Sequence, residues 1–173
     1  MNQAKNRSDF ETLSRVISLG AVAGFRAMLA PALFSRAASS YRKADFGDSL
    51  LASEYVPAVL GALAVGELVG DKLPQTPNRT ELPGLAARIV SGAVVGGSVA
   101  AGYKKSVPAG IALGALAAVA AAYAGQNIRR AVSNESGIPS PLLGAVEDLI
   151  AVGIATAALQ DSEQSNNYYS KIL

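Results

Sequence analysis

The chain has 173 residues, half of them apolar and 16% charged, with a formal net charge of +2. Its basic residues are dispersed and not interleaved with aromatics, so no nucleic-acid surface is expected. With neither cysteine nor histidine, disulfides, Cys/His metal sites, thiol nucleophiles and Ser-His-Asp constellations are excluded.

Charge this sparse, in a chain built mainly from Ala, Gly, Val and Leu, favours a membrane protein. Small residues bury little area each in a water-soluble core but suit close helix packing in lipid. Residues 1–14 form a polar segment that contains acids. It lacks the basic-then-apolar order of a secretory signal, so the first apolar segment is expected to stay as an anchor.

A transmembrane helical domain is expected over 15–160. Its first segment, "VISLGAVAGFRAMLAPALF" (16–34), carries Arg26 near its centre and Pro31 beyond it. Arginine cannot shed its charge, and at the bilayer centre it costs about 2.5 to 3.5 kcal/mol on insertion scales. Glu67, Asp71, Glu147 or Asp148 are its expected partners. The second segment, "YVPAVLGALAVGELVG" (55–70), ends at Glu67 with Asp71 four residues on and Lys72 next. The i, i+4 spacing points both carboxylates from one helix face.

The loop "DKLPQTPNRTELP" is mostly turn chemistry, with Thr80 approaching the next helix and Pro83 restricting the chain before it. The third segment, "GLAARIVSGAVVGGSVAAGY" (84–103), opens with Arg88. The fourth, "VPAGIALGALAAVAAAYAG" (107–125), is uncharged and about 28 Å long, close to the hydrocarbon thickness. Arg129 and Arg130 close it. The fifth, "PLLGAVEDLIAVGIATAAL" (141–159), holds Glu147 and Asp148, which point about 100° apart and so are expected to meet different partners. Residues 161–173 form a polar tail.

The expected fold is therefore all-α, a polytopic bundle of about five Ala/Gly-rich transmembrane helices. Gly-x-x-x-Gly pairs at Gly20/Gly24, Gly66/Gly70, Gly92/Gly96 and Gly110/Gly114 give each of the first four helices a face for close packing. In a five-crossing model the N-terminal side takes eight basic residues, Lys5, Arg7, Arg15, Lys72, Arg79, Arg88, Arg129 and Arg130. The other takes six, Arg36, Arg42, Lys43, Lys104, Lys105 and Lys171, a slight excess toward a cytoplasmic N-terminus. "AGFRAMLAP" then "GELVGDK", and "AGQNIRRAV" then "GAVEDL", repeat an order of glycine, arginine and acidic pair. This order suggests an inverted-topology repeat of helices one and two with four and five.

The series "GAVAGFRAMLAPAL", "GELVGDKLPQTPNRTELPGLAARIVSGAVVGG" and "AVEDLIA" resembles the DUF4126 family of integral membrane proteins over roughly residues 15–160. Asp71-Lys72-x-Pro74, Pro77-x-Arg79-Thr80 and Arg88 form its most specific part. The resemblance implies a bacterial, multi-pass, inner-membrane location and supplies no catalytic residues.

Arg26, Glu67, Asp71, Lys72, Arg79, Arg88, Glu147 and Asp148 are the candidate ion-pair or pathway residues. One functional reading is a structural or accessory subunit of a membrane assembly, in which these ions fix helix register and the glycine faces recruit a second copy or a partner. The alternative is a small ion, proton or solute transporter or channel with Arg26, Glu67/Asp71 and Glu147/Asp148 at its polar centre. Glu67 and Asp71 alone are a thin set for Mg²⁺ and no multi-aspartate pattern accompanies them, so no enzyme, metal or cofactor is expected. The expected partners are the lipid bilayer and either a homo-oligomer or a larger membrane complex.

Overall fold

Alanine-rich runs without period-two alternation fold as helices throughout the computed structural model, which describes residues 2–40, 55–70, 81–136 and 140–170. Among the described residues these are α1 (Asn2–Phe25), α2 (Leu29–Ser40), α3 (Val56–Gly70), α4 (Leu82–Gly102), α5 (Val107–Ser136) and α6 (Ser140–Ser170), with no strand. Three are long and apolar enough to cross a membrane, over Leu82–Gly102, Val107–Glu135 and Leu142–Leu159. α3 is a shorter apolar helix. The polar segments expected at 1–14 and 161–173 continue α1 and α6 as helix through most of their length. At the start of α4 the cap is Glu81, extended in backbone, and Pro83 lies in the first turn, where its missing N–H costs nothing.

Glycine sets the relation of α1, α4 and α5. A Cβ at Gly20 would stand 2.7 Å from the Gly114 carbonyl oxygen, and one at Gly24 2.7 Å from the Ala121 methyl. Gly92 and Gly96 press in turn on Gly114 and Gly110. These approaches leave no room for a side chain, so the three backbones meet directly. Gly66, by contrast, has nothing within 4 Å of a built Cβ, so this glycine of the α3 pair serves no contact among the described residues.

The register of these contacts also gives directions. Gly20 and Gly24 meet residues of rising number on α5, so α1 and α5 run parallel, while Gly92/Gly114 and Gly96/Gly110 make α4 and α5 antiparallel. An inverted repeat pairing the first and fourth predicted helices needs them antiparallel, so that relation does not hold. The two-sided charge tally changes for the same reason. Lys105 pairs with Asp9, and the Arg15 guanidinium lies 5.0 Å from the Tyr103 ring centroid, so the α4–α5 turn sits at the same end as the start of α1. Lys104 and Lys105 thus belong with the N-terminal basic residues rather than opposite them. The end of α1 and the start of α4 lie at one end too, since Arg88 reaches the Gly24 carbonyl. α2 and α3 together therefore make no net crossing, and alternation of five spans is replaced by a returning hairpin.

α1 is central, touching α2, α4, α5 and α6, whereas α3 packs on α2. The core is mostly alanine with Val16, Leu19, Val22, Phe34, Val95 and Val99, and the buried charges are Arg15, Arg26 and Arg88. Larger apolar side chains such as Val65, Val90, Leu116 and Leu149 face outward. Small and charged residues inside with large apolar ones outside is the distribution a lipid solvent selects.

Candidate functional site

A proline creates the site. Pro31 has no N–H to give the Ala27 carbonyl one turn earlier, and its ring crowds that oxygen, so a helix continuing from α1 cannot pass it undisturbed. α1 closes with Arg26 N–H donating to Val22 O at 2.8 Å. α2 is under way when Ala32 N–H donates to Met28 O at 3.1 Å. Between them Arg26, Ala27 and Met28 form a turn. Through the Arg88–Gly24 bond the break lies beside the first two turns of α4, inside the stretch Leu82–Gly102 that is apolar enough to cross a membrane.

Backbone groups freed at that depth must find partners inside the protein, and charged side chains supply them. The two carboxylate oxygens of Glu67 accept one N–H each, Oε1 from Ala27 at 2.9 Å and Oε2 from Met28 at 2.8 Å. An anion thus sits on the positive end of α2. On the other side of the break, Arg88 Nε donates to the Gly24 carbonyl at 3.1 Å and Nη1 to Gly84 O at 2.8 Å. This puts a cation on the negative end of α1. The Ser91 hydroxyl donates to the Ala27 carbonyl, the acceptor Pro31 leaves open. Arg88 Nη2 stands 3.9 Å from Glu67 Oε1, so the two capping charges also face each other.

Arg26 holds Asp148 of α6 in a two-pronged pair, Nε to Oδ1 at 2.5 Å and Nη2 to Oδ2 at 3.0 Å. The neighbouring Glu147 pairs the same way with Arg129 of α5, at 3.2 and 2.5 Å. Parallel guanidinium–carboxylate bonds give direction as well as energy, so α6 is oriented from two sides at once. Gln126, buried on α5, lies little more than a turn beyond Ala121, which faces Gly24.

The structure therefore brings together Arg26, Glu67, Arg88 and Asp148 at the break, with Glu147, the residue before Asp148, held by Arg129. Asp71, Lys72 and Arg79 lie outside the described residues. Sequence reasoning missed that Glu67 bonds to backbone, and it missed Ser91 as a member of the network. Pro31 four residues after Ala27 was the available signal for the break. The serine had none, since one hydroxyl among several in an apolar helix carries no mark.

A family model described as a domain of unknown function, DUF4126, matches residues 13–161. No curated protein and no solved structure matches the chain.

Proposed function

The chain belongs to the DUF4126 family, and from its buried charges we propose that it is a small multi-pass transporter or channel whose polar centre is the α1–α2 break. The observation that carries this reading is a helix interrupted within the apolar bundle with both broken ends turned onto ionised side chains. Discontinuous helices with charged residues at the bilayer midplane are the recurrent way membrane transporters build an ion or solute site. Arg26, Glu67, Arg88 and Asp148 would line it, with Glu147 orienting α6. In the described conformation the protein's own groups cover both helix ends, so passage requires those contacts to exchange.

We assign the protein to the bacterial inner membrane. A homo-oligomer or larger complex is supported by Gly66, one of a Gly-x-x-x-Gly pair, facing outward. A second reading, a structural or accessory subunit, draws on a different observation. Among the described residues no buried side-chain nitrogen or oxygen lacks a hydrogen bond, as a network built only to fix packing would require.

Reconstituted protein with and without Glu67→Gln or Arg26→Gln separates the two. Ion or solute flux that is present in the wild type and lost in variants of unchanged oligomeric size is expected. Absence of flux, together with variants that dissociate or unfold, would leave the packing role standing.

A further inference from the structure

The first turns of α1 belong to a largely polar segment, yet one of their faces is apolar and points outward. Thr12, Arg15, Val16 and Leu19 are buried against the bundle, while Phe10, Leu13 and Ile17 stand outward at spacings of three and four residues. Phe10 is 70% exposed. Such a strip meets water, a protein or lipid, and its position in the bundle tells these apart.

Two contacts fix that position. Lys105 donates to Asp9, and the Arg15 guanidinium lies 5.0 Å from the centroid of the Tyr103 ring. Tyr103 and Lys105 lie in the turn where one stretch apolar enough to cross a membrane, Leu82–Gly102, gives way to the next, Val107–Glu135. Phe10 is therefore level with the ends of two candidate spans. Leu13 and Ile17 lie about 5 and about 10 Å farther along α1, toward Gly20 and its contact with Gly114. At those levels α5 also turns apolar side chains outward, Val107 and Ile111 among them. The strip thus continues a surface suited to lipid rather than forming an isolated patch.

The turn itself supplies charge. α4 closes at Tyr103, with Lys104 N–H donating to Ala101 O at 3.0 Å and Lys105 N–H to Ala100 O at 2.8 Å. Lys104 takes φ 53°, the left-handed conformation that glycine fills most easily at a helix end. It is exposed, and among the described residues no carboxylate pairs with it. A lysine held in this conformation sets a long cationic side chain just outside the apolar stretches, next to an aromatic ring.

We propose that this end of the bundle is a docking surface for anionic phospholipid headgroups, with Phe10 seated where headgroups meet acyl chains and Lys104 reaching a lipid phosphate.

Each part fits its place. Phe10 and Tyr103 stand at the level at which aromatic side chains collect in membrane proteins, and a lysine there can extend its stem along apolar surface while its ammonium stays with the headgroups. Asp9 is held by Lys105, which leaves the ammonium of Lys104 to attract a lipid of negative charge. The inference does not depend on what the polar centre carries.

The chain has no tryptophan, so Phe10→Trp gives the full-length protein a single fluorescent reporter in vesicles. With phosphatidylcholine brominated either near the headgroup or near the chain ends, the shallow bromines should quench more strongly, and aqueous iodide should quench little. Quenching by iodide with neither bromolipid effective puts the strip in water, and protection from all three quenchers puts it under protein; either result overturns the proposal. Because tryptophan itself favours interfaces, Leu13→Trp is the second reporter, with Phe10 in place, and it also serves if Phe10→Trp fails to fold. It should be shielded from iodide and respond more to the deep bromines than Phe10→Trp does; iodide access at Leu13→Trp counts against the proposal. Headgroup preference is read by exchanging brominated phosphatidylcholine for brominated phosphatidylglycerol. The anionic lipid should be enriched beside the reporter by up to about fivefold, and Lys104→Gln or high salt should lower that enrichment without changing the depth. Equal quenching by the two headgroups overturns the anionic preference, and an enrichment unchanged in Lys104→Gln overturns the part given to Lys104.

Discussion

Two neighbouring regions of the bundle are held by opposite means. Where the middle of α1 crosses α4 and α5, glycine lets backbones touch. A turn farther along, at the α1–α2 break, contact is made by guanidinium, carboxylate and freed backbone groups. The first kind of contact is short-ranged and has one geometry, because dispersion falls away once backbones separate. The second can be remade with other partners, because an arginine can exchange one acceptor for another. A close-packed three-helix junction thus lies beside a polar centre held by ion pairs and hydrogen bonds.

Substitution at the junction should have the largest effect. Gly114 touches Gly92 and Gly96 on α4 and faces Gly20 on α1. Gly114→Leu has no direction in which to place its side chain and should lower stability by at least about 3 kcal/mol. Thermal unfolding in detergent, followed by size-exclusion profile, reads this as loss of the monodisperse peak. A variant that keeps the wild-type profile would mean the junction is softer than its contacts imply.

The polar centre should respond differently. Arg26→Gln or Asp148→Asn alone breaks a two-pronged, largely buried ion pair, costing about 3 to 5 kcal/mol. The two together should cost clearly less than the sum, with a coupling of about 1 to 3 kcal/mol. No such rescue is available at Gly114, so a double-mutant cycle that proved additive would erase the contrast between the two regions. The smallest effect belongs to Lys105, whose pair with Asp9 is at the polar end of the bundle and partly exposed. Lys105→Ala should change stability by at most about 1 kcal/mol and leave any flux unaltered.

Individual residues show how much was legible in advance. Arg26 could be recognised as an interior charge needing an acid, because an arginine inside an apolar run has no other stable disposition. Which acid it takes could not be read: Glu67, Asp71, Glu147 and Asp148 meet the same chemical requirement, and helix packing brings Asp148 to it. The Gly-x-x-x-Gly spacing at Gly20/Gly24, Gly92/Gly96 and Gly110/Gly114 marked faces that do meet backbone. The same spacing at Gly66/Gly70 did not foretell its surroundings, since Gly66 looks outward. Spacing reports a helix face without reporting a neighbour. Five alternating crossings were expected because each apolar run was counted as one span, whereas Pro31 divides the first and α3 returns to the break.

What the amino-acid sequence determined alone is the helical class, the lipid-suited composition, the exclusion of Cys/His chemistry and the need of each interior charge for an opposite one. These follow from local periodicity and from the cost of ions and unpaired backbone in hydrocarbon, which act whatever the topology. Only the tertiary structure decided that α1 and α5 run parallel, that α2 and α3 fold back without net crossing, and that Glu67 closes the N-terminus of a broken helix. Those outcomes depend on which surfaces meet across 40 to 120 residues of chain, and long-range packing settles a choice that local chemistry leaves degenerate.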